Sequence, residues 1–332
     1  MNAYDSLRLH TGRHMSTLPG HGYREGTPLF PTRVQFVEYL RDYAERFALK
    51  VECNCVVSDV KRTGDRWIAS VNGDGVEGSA IVMSTGIMSK PITPEIPGRD
   101  TFRGEIIHSV EYRRPESFAG HRVLVVGVGN SGGEIASELG NAGVETTILV
   151  RRGANVVPRA IAGVPIQYLS ASLKRLPIGA RRRFAKAVRR LAELRHGPPV
   201  IPYPPWTAAD SIPVIGFHLV EALRGGKVSL KLGMIERLER DDVVFTDGSR
   251  GEFDWIVLAT GFAPALDVLG DLVRRDERGF ALRSGNVTSV DQPNLYFVGQ
   301  RYDTTGAIAN IKADAKEVGR RLAEWTIRTG SV

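Results

Sequence analysis

The sequence predicts an α/β fold built from two interleaved units, and three observations support this prediction. An apolar segment at 122–126 runs into a glycine-rich turn, which a helix and a further strand follow. Two other apolar segments, at 81–84 and 255–259, run into Thr85-Gly86 and Thr260-Gly261. The chain of 332 residues, 42% of them hydrophobic, is long enough for two hydrophobic cores.

The first hundred residues predict one helix followed by a small β-meander. Residues 32–48 place their apolar side chains on one helical stripe. Strands are predicted at 51–57, 67–71 and 80–84, separated by turn residues. Prolines at 91, 94 and 97 then predict an extended connector.

The two cysteines, Cys53 and Cys55, lie inside the predicted strand 51–57, so their side chains are expected on one face of a sheet. A disulfide between residues two apart in a strand would be strained. A redox-active dithiol also favours CxxC or a wider spacing. We therefore favour a structural role for both thiols, which argues against a disulfide oxidoreductase.

The net charge of +7 is concentrated in the segment 181–195. Phe184, Val188, Leu191 and Leu194 have helical spacing, which predicts an apolar face with the arginines opposite. We interpret the segment as a solvated surface helix, with membrane or nucleic-acid contact as the alternative. The sequence has no apolar run of 18 residues and no signal peptide, so we expect a cytoplasmic protein without an integral membrane segment.

The glycine-rich turn carries the clearest chemical signal: Gly127-Val128-Gly129-Asn130-Ser131-Gly132. Gly127 permits a tight turn, Gly129 lets the backbone approach a pyrophosphate, and Gly132 allows the helix to pack on the strand. Asn130 and Ser131 open a helix whose N-terminal amides attract an anion. Because a strand, a helix and a second strand surround it, this turn predicts a dinucleotide site.

The second strand ends in Arg151 and Arg152, where an NAD-preferring protein usually places a carboxylate near the ribose 2′-hydroxyl. Guanidinium groups match a 2′-phosphate in charge and geometry. The pair favours NADPH over NADH, with two solvated surface arginines as the alternative.

Phe102, Gly104, His108 and Tyr112 fit the pattern FxGxxxHxxxY shortly before the glycine turn. With the two Thr-Gly pairs and 295–299, this pattern resembles the flavin-containing monooxygenases, especially YUCCA-like and bacterial members. Baeyer-Villiger relatives carry Trp at the last position, so Tyr112 favours the former group. The resemblance covers nearly all of the chain and implies two interleaved Rossmann-like domains of the FAD/NAD(P)-binding type.

The resemblance also implies an activity. In that family NADPH reduces FAD, the flavin takes up O2 as a C4a-hydroperoxide, and a small organic substrate receives one oxygen atom. The implied partners are this substrate and O2, and no nucleic acid or metal is expected. A 2-oxo acid, a soft nitrogen or sulfur centre, or a ketone all remain compatible substrates, and an electron-transferring reductase is less favoured because CxxC is absent.

Several residues receive roles from the resemblance alone. His10 is the candidate catalytic residue beside the flavin, with a surface or capping role as the alternative. Thr85, Gly86, Thr260 and Gly261 belong to the cofactor-binding turns. His108 is expected to be a hydrogen-bonding residue at a domain junction rather than an acid or base. The loop and helix start expected against the flavin comprise Gly299, Gly306 and Ala307, with an ordinary glycine-capped helix entry as the alternative.

Family members begin with a strand, a GxGxxG turn and a helix that hold the ADP half of FAD, and this sequence starts after that point. We therefore expect an incomplete FAD domain at 1–113 and 256–332 and an NADPH domain at 114–255. The expected consequences are weak FAD binding and an unpaired strand edge, which favours a homo-oligomer or a complementing N-terminal chain. A misplaced start codon, a truncated remnant without turnover and a split protein remain alternatives.

Overall fold

The computed structural model describes residues 3–173, 176–301, 303 and 306–329. The α-helices are α1 Arg33–Arg46, α2 Asn130–Asn141, α3 Ile166–Leu173, α4 Ile178–His196, α5 His218–Arg224 and α6 Ala307–Thr329. Short 3-10 helices occupy Arg99–Thr101, Pro115–Phe118 and Asp267–Leu272.

The strands are β1 Val57–Thr63, β2 Arg66–Val71, β3 Asp74–Gly78, β4 Ile81–Met83, β5 Lys90–Pro91, β6 Glu105–His108, β7 Arg122–Val126, β8 Glu145–Val150, β9 Val156–Val157, β10 Ala160–Ile161, β11 Val164–Pro165, β12 Val214–Ile215, β13 Val228–Leu232, β14 Ile235–Leu238, β15 Asp242–Phe245, β16 Arg250–Glu252, β17 Trp255–Leu258, β18 Phe262–Ala263, β19 Arg283–Ser284, β20 Thr288–Ser289 and β21 Leu295–Phe297.

Contacts divide the chain into two compact units. Unit 1 comprises Met1–His10 and Pro91–Gly261, and unit 2 comprises Thr11–Lys90 and Phe262–Val332. The backbone therefore leaves and re-enters unit 2, as an interleaved fold requires. The assignment of a flavin domain to 1–113 and 256–332 and of an NADPH domain to 114–255 concerns cofactors and stays a prediction.

Unit 1 is built on a five-stranded parallel sheet in the order β13-β8-β7-β17-β6. After Arg122 the strands β7 and β17 are apolar because both of their faces are covered. Val123 and Val125 pack beneath α2 and α5, while Leu124 and Ile256 pack beneath the antiparallel sheet β14-β15-β16. The predicted strands at 122–126 and 145–150 are confirmed, and the predicted helix begins one residue earlier, at Asn130.

Unit 2 contains a three-stranded meander, β1-β2-β3, and a four-stranded sheet in the order β19-β20-β21-β4. Trp67, Met83 and Phe297 belong to a buried core on one side of β21, and Val298 packs with Val318 of α6 in a second cluster. Helix α1 begins with a capping box between Thr32 and Gln35, close to the predicted start.

Strand β4 lies at the end of its sheet, parallel to β21. Within the described residues no strand pairs with its other edge, and Val82 is 39% exposed. An open groove of about 680 Å³, lined mainly by apolar residues of the meander and β4, lies beside it. Parallel strands are normally covered on both sides, so this edge is unusual.

The predicted strand 51–57 is wrong, because β1 begins only at Val57 and residues 51–56 form an exposed loop. Asn54 has φ +59°, which breaks an extended backbone. The Asn72 side chain holds the loop, accepting from the Val56 N–H at 2.9 Å and donating to the Asn54 carbonyl. Cys53 and Cys55 are consequently exposed free thiols outside any strand.

The predicted orientation of the basic helix is also wrong. Helix α4 exists and Val188 faces inward, but Phe184, Leu191 and Leu194 of its predicted inner face are 37%, 59% and 85% exposed. Arg189 points inward instead, with its guanidinium 3.7 Å from the Tyr203 ring centroid. Cation–π stacking and hydrogen bonding determine which face of this helix packs.

Candidate functional site

The glycine turn joins β7 to α2, and its tight geometry explains two of its glycines. Gly127 has φ +106°, and a Cβ there would lie 2.7 Å from the Ala259 carbonyl oxygen. A Cβ on Gly132 would lie 2.0 Å from the Gly127 carbonyl oxygen. Both positions therefore exclude side chains for reasons internal to the protein.

Gly129 is different, because the fold itself does not require a glycine there. Its φ of −76° suits any residue, and no heavy atom of the described chain outside its immediate neighbours lies within 4 Å of a Cβ at this position. The space left open faces the N-terminal turn of α2, where free N–H groups and the helix dipole attract anions. The residues present thus fit the pyrophosphate of a dinucleotide.

Asn130 and Ser131 form the first turn of α2, as predicted, but the Asn130 side chain has a structural contact. Its Oδ1 accepts from the Ile215 N–H at 2.8 Å, and its Nδ2 donates to the Pro213 carbonyl at 3.3 Å. Asn130 therefore ties the turn to β12, a role that the sequence pattern did not reveal. Its backbone amide remains part of the helix N-terminus.

Arg151 and Arg152 directly follow β8 at the same edge of the sheet as the glycine turn, and both are exposed. The Gly127 N–H donates to the Leu149 carbonyl at 3.0 Å, which fixes the turn against the end of β8. Neither guanidinium has an ion pair within the described residues. Both arginines thus retain their hydrogen-bonding capacity for a phosphate.

His108 and the Thr260-Gly261 turn form a hydrogen-bonded network in unit 1. The His108 Nε2 donates to the Gly261 carbonyl at 3.1 Å, and its Nδ1 accepts from the Val110 N–H at 3.2 Å. Thr260 Oγ1 donates to the Ile92 carbonyl at 2.5 Å. Burial lowers the pKa of His108, so the neutral imidazole is favoured and a hydrogen-bonding role fits better than acid catalysis.

The other residues of the FxGxxxHxxxY pattern pack rather than line an open site. A Cβ on Gly104 would lie 2.5 Å from the Phe102 ring, so the glycine makes room for this phenylalanine. Tyr112 is 1% exposed and donates to Glu138 Oε2 at 3.0 Å. The spacing of the motif is therefore explained by packing and hydrogen bonding within unit 1.

A charged cluster surrounds Glu134, which follows the glycine turn on α2. Its Oε1 lies 2.7 Å from His10 Nε2 and 3.2 Å from a terminal nitrogen of Arg159. Tyr4 donates its hydroxyl to the other oxygen, Oε2, and His218 Nε2 lies 3.7 Å from Oε1. We call these five residues the Glu134 cluster.

The protonation states within the Glu134 cluster follow from burial and from the donors around the carboxylate. Burial opposes ionisation, but hydrogen bonds and charge from His10 and Tyr4 hold the pKa of Glu134 below its ordinary value. Burial and the neighbouring Glu134 raise the pKa of Tyr4. Burial lowers the pKa of His218 despite the carboxylate beside it. The cluster thus combines an ionised carboxylate with a neutral phenol.

Sequence reasoning identified His10 but missed Glu134, Arg159 and His218. For His218 the sequence offered one indication, Gly216, which stands two residues before it. Gly216 has φ +98°, and a Cβ there would lie 2.4 Å from the His218 ring. The glycine is needed so that this imidazole can fold back over the chain.

Unit 2 contains the other predicted cofactor residues. Gly86 has φ +72°, and its carbonyl accepts from Gln300 Nε2 at 2.9 Å, next to Thr85. The Gly299 N–H donates to the buried carboxylate of Asp314 at 3.1 Å. Asp314 is thus a structural residue that sequence reasoning missed.

The helix start at α6 has the glycine geometry that was expected. Gly306 has φ +105°, and a Cβ there would lie 2.6 Å from Thr11 Cγ2, so a glycine is required. Ala307, the first residue of α6, is exposed. The requirement for Gly306 is explained within unit 2 and leaves the flavin contact a prediction.

The spacing GxGxxG also occurs at 73–78, where it has a different structure. There the glycines form the tip of the β2–β3 hairpin and part of β3. In the described part of unit 2 no such turn joins a strand to a helix. The described residues therefore include one strand–glycine turn–helix arrangement of the kind that holds a dinucleotide pyrophosphate, the one at 127–132.

A comparison with known families identifies the chain. Residues 1–282 match the family model described as Flavin-binding monooxygenase-like. The chain belongs to this family. It is 34% identical to the indole-3-pyruvate monooxygenase YUCCA6 of Arabidopsis thaliana over 281 residues, which cover 79% of this chain and 66% of that relative. The chain thus spans about two-thirds of the length of this curated relative.

Solved flavin monooxygenases share the fold. The flavin-containing monooxygenase from Stenotrophomonas maltophilia has a TM-score of 0.75 at 22% identity and matches 97% of this chain and 86% of its own. Cyclohexanone monooxygenase from Rhodococcus sp. Phi1 bound to NADP+ has a TM-score of 0.72 at 21% identity, covering 98% and 77%. The predicted FAD/NAD(P)-binding α/β fold is confirmed.

Two kinds of feature are absent from the described part of the chain. None of the helices has an apolar stretch of the length needed to cross a membrane. No group of three or more His, Cys, Asp or Glu residues in that part of the chain is arranged to hold a metal ion.

Proposed function

We propose that this chain is an NADPH- and FAD-dependent oxidoreductase of the monooxygenase type. The observation that carries the proposal is the open space in front of Gly129, within a chain of the flavin-binding monooxygenase-like family. The N–H groups at the start of α2 bind the pyrophosphate, and Arg151 and Arg152 bind the 2′-phosphate. Bound FAD would supply the reaction with O2.

The other site residues are proposed to hold the flavin and to orient the catalytic imidazole. His10 is the proposed catalytic residue, and Glu134 fixes its ring by accepting from Nε2. In unit 2, Gly86, Gly299 and Gly306 have positive φ values, and because glycine has no Cβ we infer that these loops approach a flat ring closely.

The substrate proposed first is a 2-oxo acid. The matched YUCCA6 of Arabidopsis thaliana is an indole-3-pyruvate monooxygenase, and the 34% identity supports the same substrate class here. Ketones and compounds with a soft nitrogen or sulfur centre are the substrates to be tested next. The small-molecule substrate and O2 are the partners that this chemistry needs.

We also propose that full FAD affinity requires a further strand–turn–helix unit, from additional chain or from another polypeptide. The open edge of β4 supports this proposal, since an added parallel strand would satisfy its N–H and C=O groups. The apolar groove beside β4 offers surface for the same unit. The alternative function is an NADP-binding module without turnover, favoured by the missing second dinucleotide turn in the described part of unit 2.

The visible absorption spectrum of the purified chain tests these proposals. The protein is mixed with FAD, gel-filtered and treated with NADPH in air. Retained flavin absorbance that bleaches with NADPH and then returns supports the oxidoreductase. Loss of all flavin together with tight NADPH binding supports the binding module, and the experiment is then repeated with a strand–turn–helix segment of the Stenotrophomonas flavin-containing monooxygenase supplied in trans. Failure to bind NADPH overturns both functions.

A further inference from the structure

Helix α4 packs on unit 1 through polar contacts and exposes its largest apolar side chains, which is the reverse of an ordinary amphipathic surface helix. The half-buried positions carry alanine, valine or charged residues: Arg181, Ala185, Val188, Arg189, Ala192 and Glu193. Arg189 donates to the Asn155 side chain at 2.5 Å and stacks on Tyr203. These polar contacts hold the helix on unit 1 and leave its largest apolar side chains outside.

The outward apolar residues form one stripe. Phe184, Ala187, Leu191 and Leu194 are spaced by three or four residues, so they lie on the same side of the helix. Leu191 is 59% exposed and Leu194 is 85% exposed. A contiguous exposed apolar stripe of this kind marks an interaction surface.

Unpaired positive charges accompany the stripe. The exposed cations are Arg183, Lys186, Arg190 and Arg195, and none has an ion pair within the described residues. The carboxylates nearby are engaged elsewhere: Glu193 bonds to Tyr203, and Asp210 pairs with Arg182 at 2.8 Å. The outer surface of α4 is therefore apolar and cationic.

We propose that α4 docks this chain onto an anionic lipid surface. Phe184, Leu191 and Leu194 enter the boundary between headgroups and acyl chains, and the exposed cations contact the headgroups. A nucleic acid would satisfy the cations but leave the leucines in water. A second copy related by two-fold symmetry would bring like charges together. The proposal stands independently of the proposed enzymatic function.

Vesicle co-sedimentation tests the proposal with the full chain. Vesicles of phosphatidylcholine alone are compared with vesicles containing about one-third phosphatidylglycerol. We expect binding to the anionic vesicles, with an affinity lowered about tenfold for each leucine replaced in Leu191→Ser/Leu194→Ser. Replacing Arg183, Lys186 and Arg190 with Gln lowers it about fivefold for each charge removed.

Matched variants separate this surface from general effects. Val76→Ser removes an apolar side chain of unit 2 that is 54% exposed, close to the 59% of Leu191, and Arg41→Gln/Lys50→Gln/Arg240→Gln removes the same charge elsewhere. Both are expected to bind anionic vesicles like the wild type, and thermal unfolding confirms that all variants are folded. The proposal is overturned if the wild type does not bind the anionic vesicles. It is also overturned if Leu191→Ser/Leu194→Ser binds them as tightly as the wild type. It is also overturned if the leucines control dimerisation in ultracentrifugation without vesicle binding.

Discussion

Glu134 Oε1 lies 2.7 Å from His10 Nε2, so a carboxylate two residues beyond the glycine turn holds an imidazole from the start of the chain. Arg159 and Tyr4 donate to the same carboxylate. Because Glu134 is 13% exposed, these hydrogen bonds replace the water that it loses on folding. The contact therefore links the residue proposed to act in chemistry to the residues proposed to bind NADPH.

Glu134→Gln is expected to lower the free energy of unfolding by about 2 to 4 kcal/mol, because it removes the negative charge beside Arg159 and puts an NH2 donor where the Tyr4 hydroxyl now donates. Urea unfolding measures the change. The matched control is Glu317→Gln, which removes a more exposed carboxylate bonded to Arg320 and Arg321 and should leave stability unchanged. Equal losses in the two variants would show that burial of the Glu134 cluster contributes nothing.

Substitutions at Gly132 and Gly129 should have different effects, the first on stability and the second on NADPH binding. Gly132→Ala is expected to cost about 3 kcal/mol or more in stability, since its Cβ would overlap the Gly127 carbonyl. Gly129→Ala should cost less than about 1 kcal/mol, as expected for glycine at a helix N-cap, yet weaken NADPH binding at least about tenfold. Thermal unfolding and a fluorescence titration give the two quantities. Normal NADPH affinity in Gly129→Ala would refute the assigned pyrophosphate position.

Arg151→Ala and Arg152→Ala should each weaken NADPH binding by about 1 to 3 kcal/mol and spare NADH, on the scale of charge-assisted hydrogen bonds. Calorimetric titration of both nucleotides measures the difference. Arg240→Ala, an exposed arginine elsewhere in unit 1, serves as the control. If both nucleotides lose affinity equally, the two arginines do not contact a 2′-phosphate.

The stability of unit 1 is expected to fall as the pH drops below about 6.5, the ordinary pKa of histidine. Burial lowers the pKa of His218 in the folded chain, so the unfolded chain binds more protons between the lowered and the ordinary value. His218 faces Glu134, Arg159, His10 and Glu221, and His218→Gln should flatten this part of the profile. Unfolding measured from pH 5 to 8 provides the comparison, and identical profiles for wild type and variant would contradict the assignment.

The elements that the sequence predicted correctly are those for which the local sequence pattern and the tertiary packing favour the same structure. The segment from Arg122 to Val150 has central apolar strands, a glycine turn and a helix, and the structure places each within a residue of the prediction. The same three-glycine spacing at 73–78 forms a hairpin, which shows that flanking elements and not the glycines specify the site.

The errors arose where side-chain contacts between distant residues decide the outcome. The Asn72 side chain holds the loop 51–56 out of the sheet, and the Tyr203 ring attracts Arg189 to the inner side of α4. The partners of Glu134 likewise come from segments more than 20 residues away. Periodicity within a single segment carries no information about such contacts.

The pairing of β4 with β21 has a consequence for synthesis of the chain. The hydrogen bond between Gln300 and Gly86, just beyond these strands, joins residues 214 positions apart. At about 5 to 20 residues per second, a ribosome needs roughly 10 to 40 s to make the second strand after the first. During that interval both edges of β4 lack a partner, so its N–H and C=O groups are open to pairing with other strands. The interleaved order of the two units thus delays the completion of unit 2 until nearly the whole chain has been translated.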